Sequence, residues 1–120
     1  MADLSCKIAG IDSLNPFWLA SAPPTDKKYN VVRAFEAGWG GVVWKTLGID
    51  PPVVNVSSRY GAHHDQNRRL LGINNIELIS DRPLEVNLQE IRECRAEYPD
   101  HVIIGSMMAP IEERAWKDLA

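Results

Sequence analysis

Three short stretches of this sequence place polar side chains where strand ends should gather them. Ser21 follows the apolar run Phe17-Trp18-Leu19-Ala20, and Lys45 with Thr46 follows Gly41-Val42-Val43-Trp44. The small residues Ala20, Ser21 and Ala22 would let a flat ring or a phosphate chain approach the backbone. A lysine at the next strand end could offer its charge to an anionic ring or to a carbonyl that gains electron density. Position alone leaves two blander alternatives open: Lys45 as a rim lysine reaching solvent, and Ser21 as a loop or cap residue. Asn75 and Glu77 lie in the third stretch, Asn74-Asn75-Ile76-Glu77-Leu78-Ile79-Ser80. An asparagine carries a donor and an acceptor on one plane, which suits the amide-like edge of a small heterocycle. The same stretch also reads as a turn at Asn74-Asn75 with Glu77 a solvated charge.

Other reactive residue types point to packing. His63-His64-Asp65 has the composition of a metal cluster, but adjacent histidines face different ways and no further ligand spacing supports one. Cys94 sits on the apolar face of a helical pattern, Cys6 in an N-terminal hairpin, and the two form no CxxC pair. Gly38-Trp39-Gly40-Gly41 precedes a strand, whereas a phosphate-binding GxGxxG loop follows one. The four tryptophans read as core and rim packing, not as a stacking platform for nucleic acid.

The elements that must position these residues alternate. A small hairpin is expected over Leu4 to Ile8 and Ile11 to Ser13, turning at Ala9-Gly10. Next comes the first buried strand, Phe17 to Ala20, then a loop at Pro23-Pro24-Thr25-Asp26 that supplies helix N-cap residues. Val31, Val32, Ala34 and Phe35 share one helical face between Lys27 and Ala37, and Gly38 closes that helix at positive φ. The second strand, Gly41 to Trp44, completes a βαβ unit, which sets parallel strands side by side. From Leu47 to about Ile79 the sequence is irregular, with short strands expected near Tyr60–His63 and Leu70–Gly72. Asp81-Arg82-Pro83 opens a second helix whose Leu84, Leu88, Ile91, Cys94 and Tyr98 fall on one face. A third strand at His101–Ser106 and a third helix opened by Pro110 complete the pattern. The fold class is α/β: an N-terminal hairpin followed by three strand–helix units, either a small open sheet or part of a (β/α)8 barrel.

Composition narrows the classes further. The 120 residues carry a net charge of −3 with basic residues scattered, which gives no footprint for nucleic acid or an anionic membrane. No run approaches the roughly 20 apolar residues that span a bilayer. The N-terminus lacks a basic-then-apolar signal pattern, so a reduced cytoplasmic setting is expected.

Asn15-Pro16-Phe17-Trp18-Leu19-Ala20-Ser21-Ala22-Pro23-Pro24-Thr25 resembles the first strand and loop of the dihydroorotate and dihydropyrimidine dehydrogenase superfamily. Arg33-Ala34-Phe35-Glu36-Ala37-Gly38-Trp39-Gly40-Gly41, followed by Lys45-Thr46, continues the likeness in the same register. Asn75-Ile76-Glu77-Leu78-Ile79-Ser80 is similar to the segment that separates the dihydropyrimidine branch from the dihydroorotate branch. The resemblance covers essentially the whole chain and implies the N-terminal portion of an FMN-binding (β/α)8 TIM barrel, with residues 1–120 a truncated part of that single domain. Such enzymes interconvert uracil or thymine and their 5,6-dihydro forms, exchanging electrons with NAD(H) through 4Fe-4S clusters and a partner flavoprotein, usually as oligomers. By position, Ala20, Ser21, Lys45 and Thr46 would contact FMN, and Asn75 and Glu77 the pyrimidine.

The family's catalytic cysteine lies in an Asn-x-Ser-Cys-Pro stretch that this chain lacks, and neither Cys6 nor Cys94 matches it. No catalytic residue is therefore assigned here, and the iron–sulfur ligands are expected outside the chain. The 120 residues alone are expected to be inactive. A dihydroorotate dehydrogenase relative, or a non-catalytic α/β module acting through an exposed edge, remain as alternative readings.

Overall fold

A computed structural model describes residues 2–49, 60–76 and 78–120. The chain opens with strands β1 (Cys6–Ile8) and β2 (Ile11–Ser13), paired antiparallel so that Ile8 faces Ile11. Ala9 and Gly10 between them both have positive φ, 50° and 83°, as a type I′ hairpin turn requires. Next come β3 (Trp18–Leu19), a single 3₁₀ turn (Pro23–Thr25), α1 (Lys28–Glu36) and β4 (Gly41–Leu47). A second hairpin, β5 (Tyr60–His64) and β6 (Leu70–Asn75), precedes α2 (Leu84–Glu97), β7 (Val102–Met107) and α3 (Glu113–Leu119).

β3, β4 and β7 form one parallel sheet in that order, and each hairpin is a separate two-stranded sheet. Strands thus add to the parallel sheet in chain order. Both intervening helices cover the same face. Val42, Trp44 and Leu47 of β4 pack with Val31 and Phe35 of α1 and with Cys94 of α2, and Leu84, Leu88, Ile91 and Tyr98 close around them. The apolar stripe expected for α2 is therefore the one that is buried. Ion pairs stitch the two helices across their outer side: the Lys28 ammonium meets Glu93 at 3.0 Å and also Glu97. The Lys28 backbone N–H donates to Glu90 at 2.8 Å.

The close contact of β4 with its neighbours depends on glycine. At Gly41 a side chain's Cβ would stand 2.8 Å from Val102 Cβ and 3.0 Å from Trp18, so the strand can sit between β3 and β7 only without one. Asn15 secures the same end: its Nδ2 donates to the Gly38 carbonyl, and its Oδ1 accepts from the Phe17 and Gly40 amides. Gly38 takes φ 96° just beyond α1, as the sequence predicts for a C′ residue.

Four local expectations are corrected. Asp26 does not cap α1: Lys27 occupies the N-cap without a side-chain bond, and the Asp26 carboxylate is buried in tertiary contacts instead. The third helix does not open at Pro110, because its first helical residue is Glu113 and Glu112 is the N-cap. Asn74 and Asn75 are not a turn but the last two residues of β6. β4 also runs on past Trp44 to Leu47, taking Lys45 and Thr46 into the strand.

Candidate functional site

The carboxyl ends of the three parallel strands meet in a row of hydroxyl groups. Ser21, just beyond β3, has its Oγ 3.1 Å from Thr46 Oγ1 on β4, and Thr46 Oγ1 is 2.9 Å from Ser106 Oγ on β7. Three hydroxyls joined by two hydrogen bonds use two of their three protons, so the row keeps one donor and spare acceptor capacity for a ligand. A bulge brings the row together. Trp44 pairs with Gly105 and Leu47 with Met107, so the two residues Lys45 and Thr46 oppose the single residue Ser106. The extra residue re-aims side chains at the strand's end.

Lys45 lies in that bulge and is only 3% exposed. The solvent-reaching alternative for this lysine is thereby overturned. Ala20 is exposed at the same end, and its carbonyl accepts the Thr25 hydroxyl at 3.3 Å, which folds the β3–α1 loop back on itself.

The structure thus brings Ser21, Thr46 and Ser106 into contact, with Lys45 next to Thr46 in the chain and Ala20 next to Ser21. Asn75 stands elsewhere, exposed at the end of the separate β5–β6 hairpin and opposite Tyr60. Glu77 lies outside the described residues. His63 is engaged across the hairpin, its Nε2 2.8 Å from Asn74 Oδ1. Among the described residues no cluster of three His, Cys, Asp or Glu side chains could hold a metal ion, and no helix is long and apolar enough to cross a membrane.

Behind the row runs a buried polar chain that sequence reading missed. The Trp44 indole N–H donates to Asn87 Oδ1 at 3.1 Å, and Asn87 Nδ2 donates to Ser80 Oγ at 3.3 Å. Ser80 Oγ in turn donates to Asp26 Oδ1 at 2.8 Å. All four residues are 5% exposed or less. Arg82 extends the chain outward, with one guanidinium nitrogen on the Asp26 carbonyl and a two-pronged contact to Glu90. Hydrogen bonding to Arg82 lowers the Glu90 carboxyl below its ordinary 4.5, and the Arg82 value is correspondingly raised by Glu90. Burial pushes the Cys94 thiol up to about 11, so at neutral pH it is an inert packing group.

Two cavities flank the sheet at opposite ends. One of about 540 Å³ lies under the β1–β2 hairpin, lined by Ser13, Leu14, His101 and Val102 at the amino end of β7. The other, about 630 Å³, opens at the carboxyl ends of β4 and β7 between Gly48, Ile49, Ile79, Met108 and Pro110. In parallel α/β folds, ligands bind at the carboxyl ends of strands, so the second cavity adjoins the chemically relevant rim. The first lies at the amino end of the sheet.

Over 98% of its length this chain is 41% identical to the chloroplastic dihydropyrimidine dehydrogenase (NADP(+)) of Arabidopsis thaliana. Over the same share it is 38% identical to the NAD-dependent dihydropyrimidine dehydrogenase subunit PreA of Escherichia coli K12. The chain is homologous to dihydropyrimidine dehydrogenases. It spans 29% and 28% of the length of these two curated relatives. No protein-family model matches the chain. The rim offers hydroxyl donors and acceptors, and small residues at Ala20 and Ser21 leave room for a flat group.

Proposed function

We propose that this chain is the N-terminal part of an FMN-dependent dihydropyrimidine dehydrogenase, an oxidoreductase interconverting uracil or thymine and their 5,6-dihydro forms with NAD(H). The observation that carries the reading is the Ser21–Thr46–Ser106 hydroxyl row beside buried Lys45, at the carboxyl rim of three adjacent parallel strands. Homology to enzymes named for this activity supports it. The sheet adds strands in chain order with both helices on one face, as a (β/α)8 barrel does. A doubly wound sheet would need helices on both faces. Residues 1–120 are accordingly read as part of one barrel domain.

FMN, when bound, supplies the hydride chemistry. This chain's own residues have narrower tasks. Ala20 and Ser21 floor the site with small side chains, Thr46 orients through its two hydroxyl contacts, and Lys45 offers a positive charge to the ring. Asn75 reads the pyrimidine's amide edge, and Glu77 shapes the same pocket. The catalytic acid and the 4Fe-4S ligands come from outside this chain, as does the contact with a partner flavoprotein. The setting is cytoplasmic, the enzyme an oligomer, and the 120 residues alone inactive.

The test is anaerobic reduction of the complete protein by dihydrouracil, followed as bleaching of bound flavin near 450 nm. Bleaching with formation of uracil is expected. A protein that purifies without flavin and gains none on incubation with FMN would refute the reading.

A further inference from the structure

The hairpin that carries Asn75 forms its own sheet, so something must fix where it stands relative to the rim. Ser80 is placed to do this. Its backbone N–H donates to the Thr46 carbonyl at 2.8 Å, tying it to the bulge of β4. Its hydroxyl donates to Asp26 on the β3–α1 loop and accepts from Asn87 on α2. Ser80 is 1% exposed and Ile79 before it is 3% exposed, with Ile79 Cδ1 reaching to within 3.0 Å of where a Cβ on Gly48 would lie. The long excursion between β4 and α2 is thus pinned at its return point against three different elements. Asn75 lies five residues upstream, so its Cα stays within about 18 Å of Ser80 even with the intervening chain fully extended.

We infer that Ser80 is a positioning residue: bridged to Asp26, Asn87 and Thr46, it sets the distance between the Asn75-bearing hairpin and the Lys45–Thr46 rim. This rests on the reading of Asn75 as a pyrimidine ligand. Loss of the Ser80 hydroxyl leaves its backbone bond to Thr46 in place, so it displaces the reader of the ring and spares the flavin end. The effect therefore falls on pyrimidine binding, not on flavin retention.

The complete enzyme is assayed as wild type, Ser80→Ala, Asp26→Ala, the double variant and Asp26→Asn. KM for uracil, kcat, flavin content and hydrogen exchange of peptides from β6 are measured on each. Ser80→Ala and Asp26→Ala are each expected to raise KM about tenfold, with kcat and flavin content within twofold of wild type and β6 exchanging faster. The double variant adds nothing beyond Ser80→Ala, because that change already removes the one bond that Asp26→Ala breaks. Asp26→Asn keeps the Oδ1 acceptor and stays near wild type. An unchanged KM, or a loss of kcat and flavin in step with KM, overturns the inference while the proposed function stands. A wild-type enzyme that neither binds nor turns over uracil overturns both.

Discussion

Replacing Asn87 by leucine removes a buried amide while keeping the branched side-chain skeleton, and the structure says which groups are then orphaned. Trp44 is fully buried and its indole N–H has Asn87 Oδ1 as acceptor. The Arg82 carbonyl loses the Asn87 Nδ2 donor at 3.3 Å. Pro83 and Ser80 suffer less. The Pro83 carbonyl keeps the Asn87 backbone N–H, and Ser80 Oγ keeps Asp26. A buried indole N–H without a partner, at about 1–3 kcal/mol, and a part-buried carbonyl that costs less together predict a destabilisation of up to about 3 kcal/mol. That is roughly a hundredfold in the folding equilibrium and a large part of the total stability of a typical domain. Trp44→Phe removes the donor of the same bond. Combining it with Asn87→Leu should therefore cost about 1 kcal/mol less than the two single losses summed. Urea unfolding followed by far-ultraviolet circular dichroism, which does not depend on the tryptophan, measures all three variants. An Asn87→Leu midpoint indistinguishable from wild type, or strict additivity, would refute the buried relay.

The Glu90 carboxyl is lowered from 4.5 by Arg82, so the native state binds its proton less readily than the unfolded chain does. The stability it contributes is fully present above about pH 4.5 and is lost as pH falls through the lowered native value. Glu90→Gln should flatten that acid limb in pH-dependent unfolding, and an unchanged limb would count against the pair. Cys94 is fully buried, whereas Cys6 is partly exposed. With the Cys94 thiol pushed to about 11, iodoacetamide at pH 8 should label one cysteine in the native protein and both in denaturant, read by mass spectrometry. Rapid native labelling of Cys94 would contradict the packing of α2.

What the sequence made legible follows from how local each signal is. The βαβ unit, the two hairpins and the buried faces of α1 and α2 are written in short-range periodicity, turn residues and Gly38. Ser21 and Thr46 could be placed at a common rim because they end consecutive strands. Ser106 ends the third strand in the same way, but only the bulge at Lys45–Thr46 shows that it completes the row. Asp26 departs from its local signal for a physical reason. An aspartate just before a helix satisfies every local rule for an N-cap, and only a partner 54 residues away reveals its use. Pro110 failed similarly: proline is common at the first helical position, but it also suits the extended link that this chain places there. The burial of Lys45 and the Ser80 bridge are long-range facts, invisible until strands and helices are packed.

We propose that the carboxyl rim formed by Ser21, Lys45, Thr46 and Ser106 is a flavin site. The most direct test is a crystal structure of the complete protein soaked with FMN and uracil. The account predicts the flavin ring within contact distance of Lys45 and Thr46, with Asn75 hydrogen-bonded to the pyrimidine above it. A flavin seated at the amino-end cavity beside Ser13 and His101, or an Asn75 turned away from the pyrimidine, would contradict it.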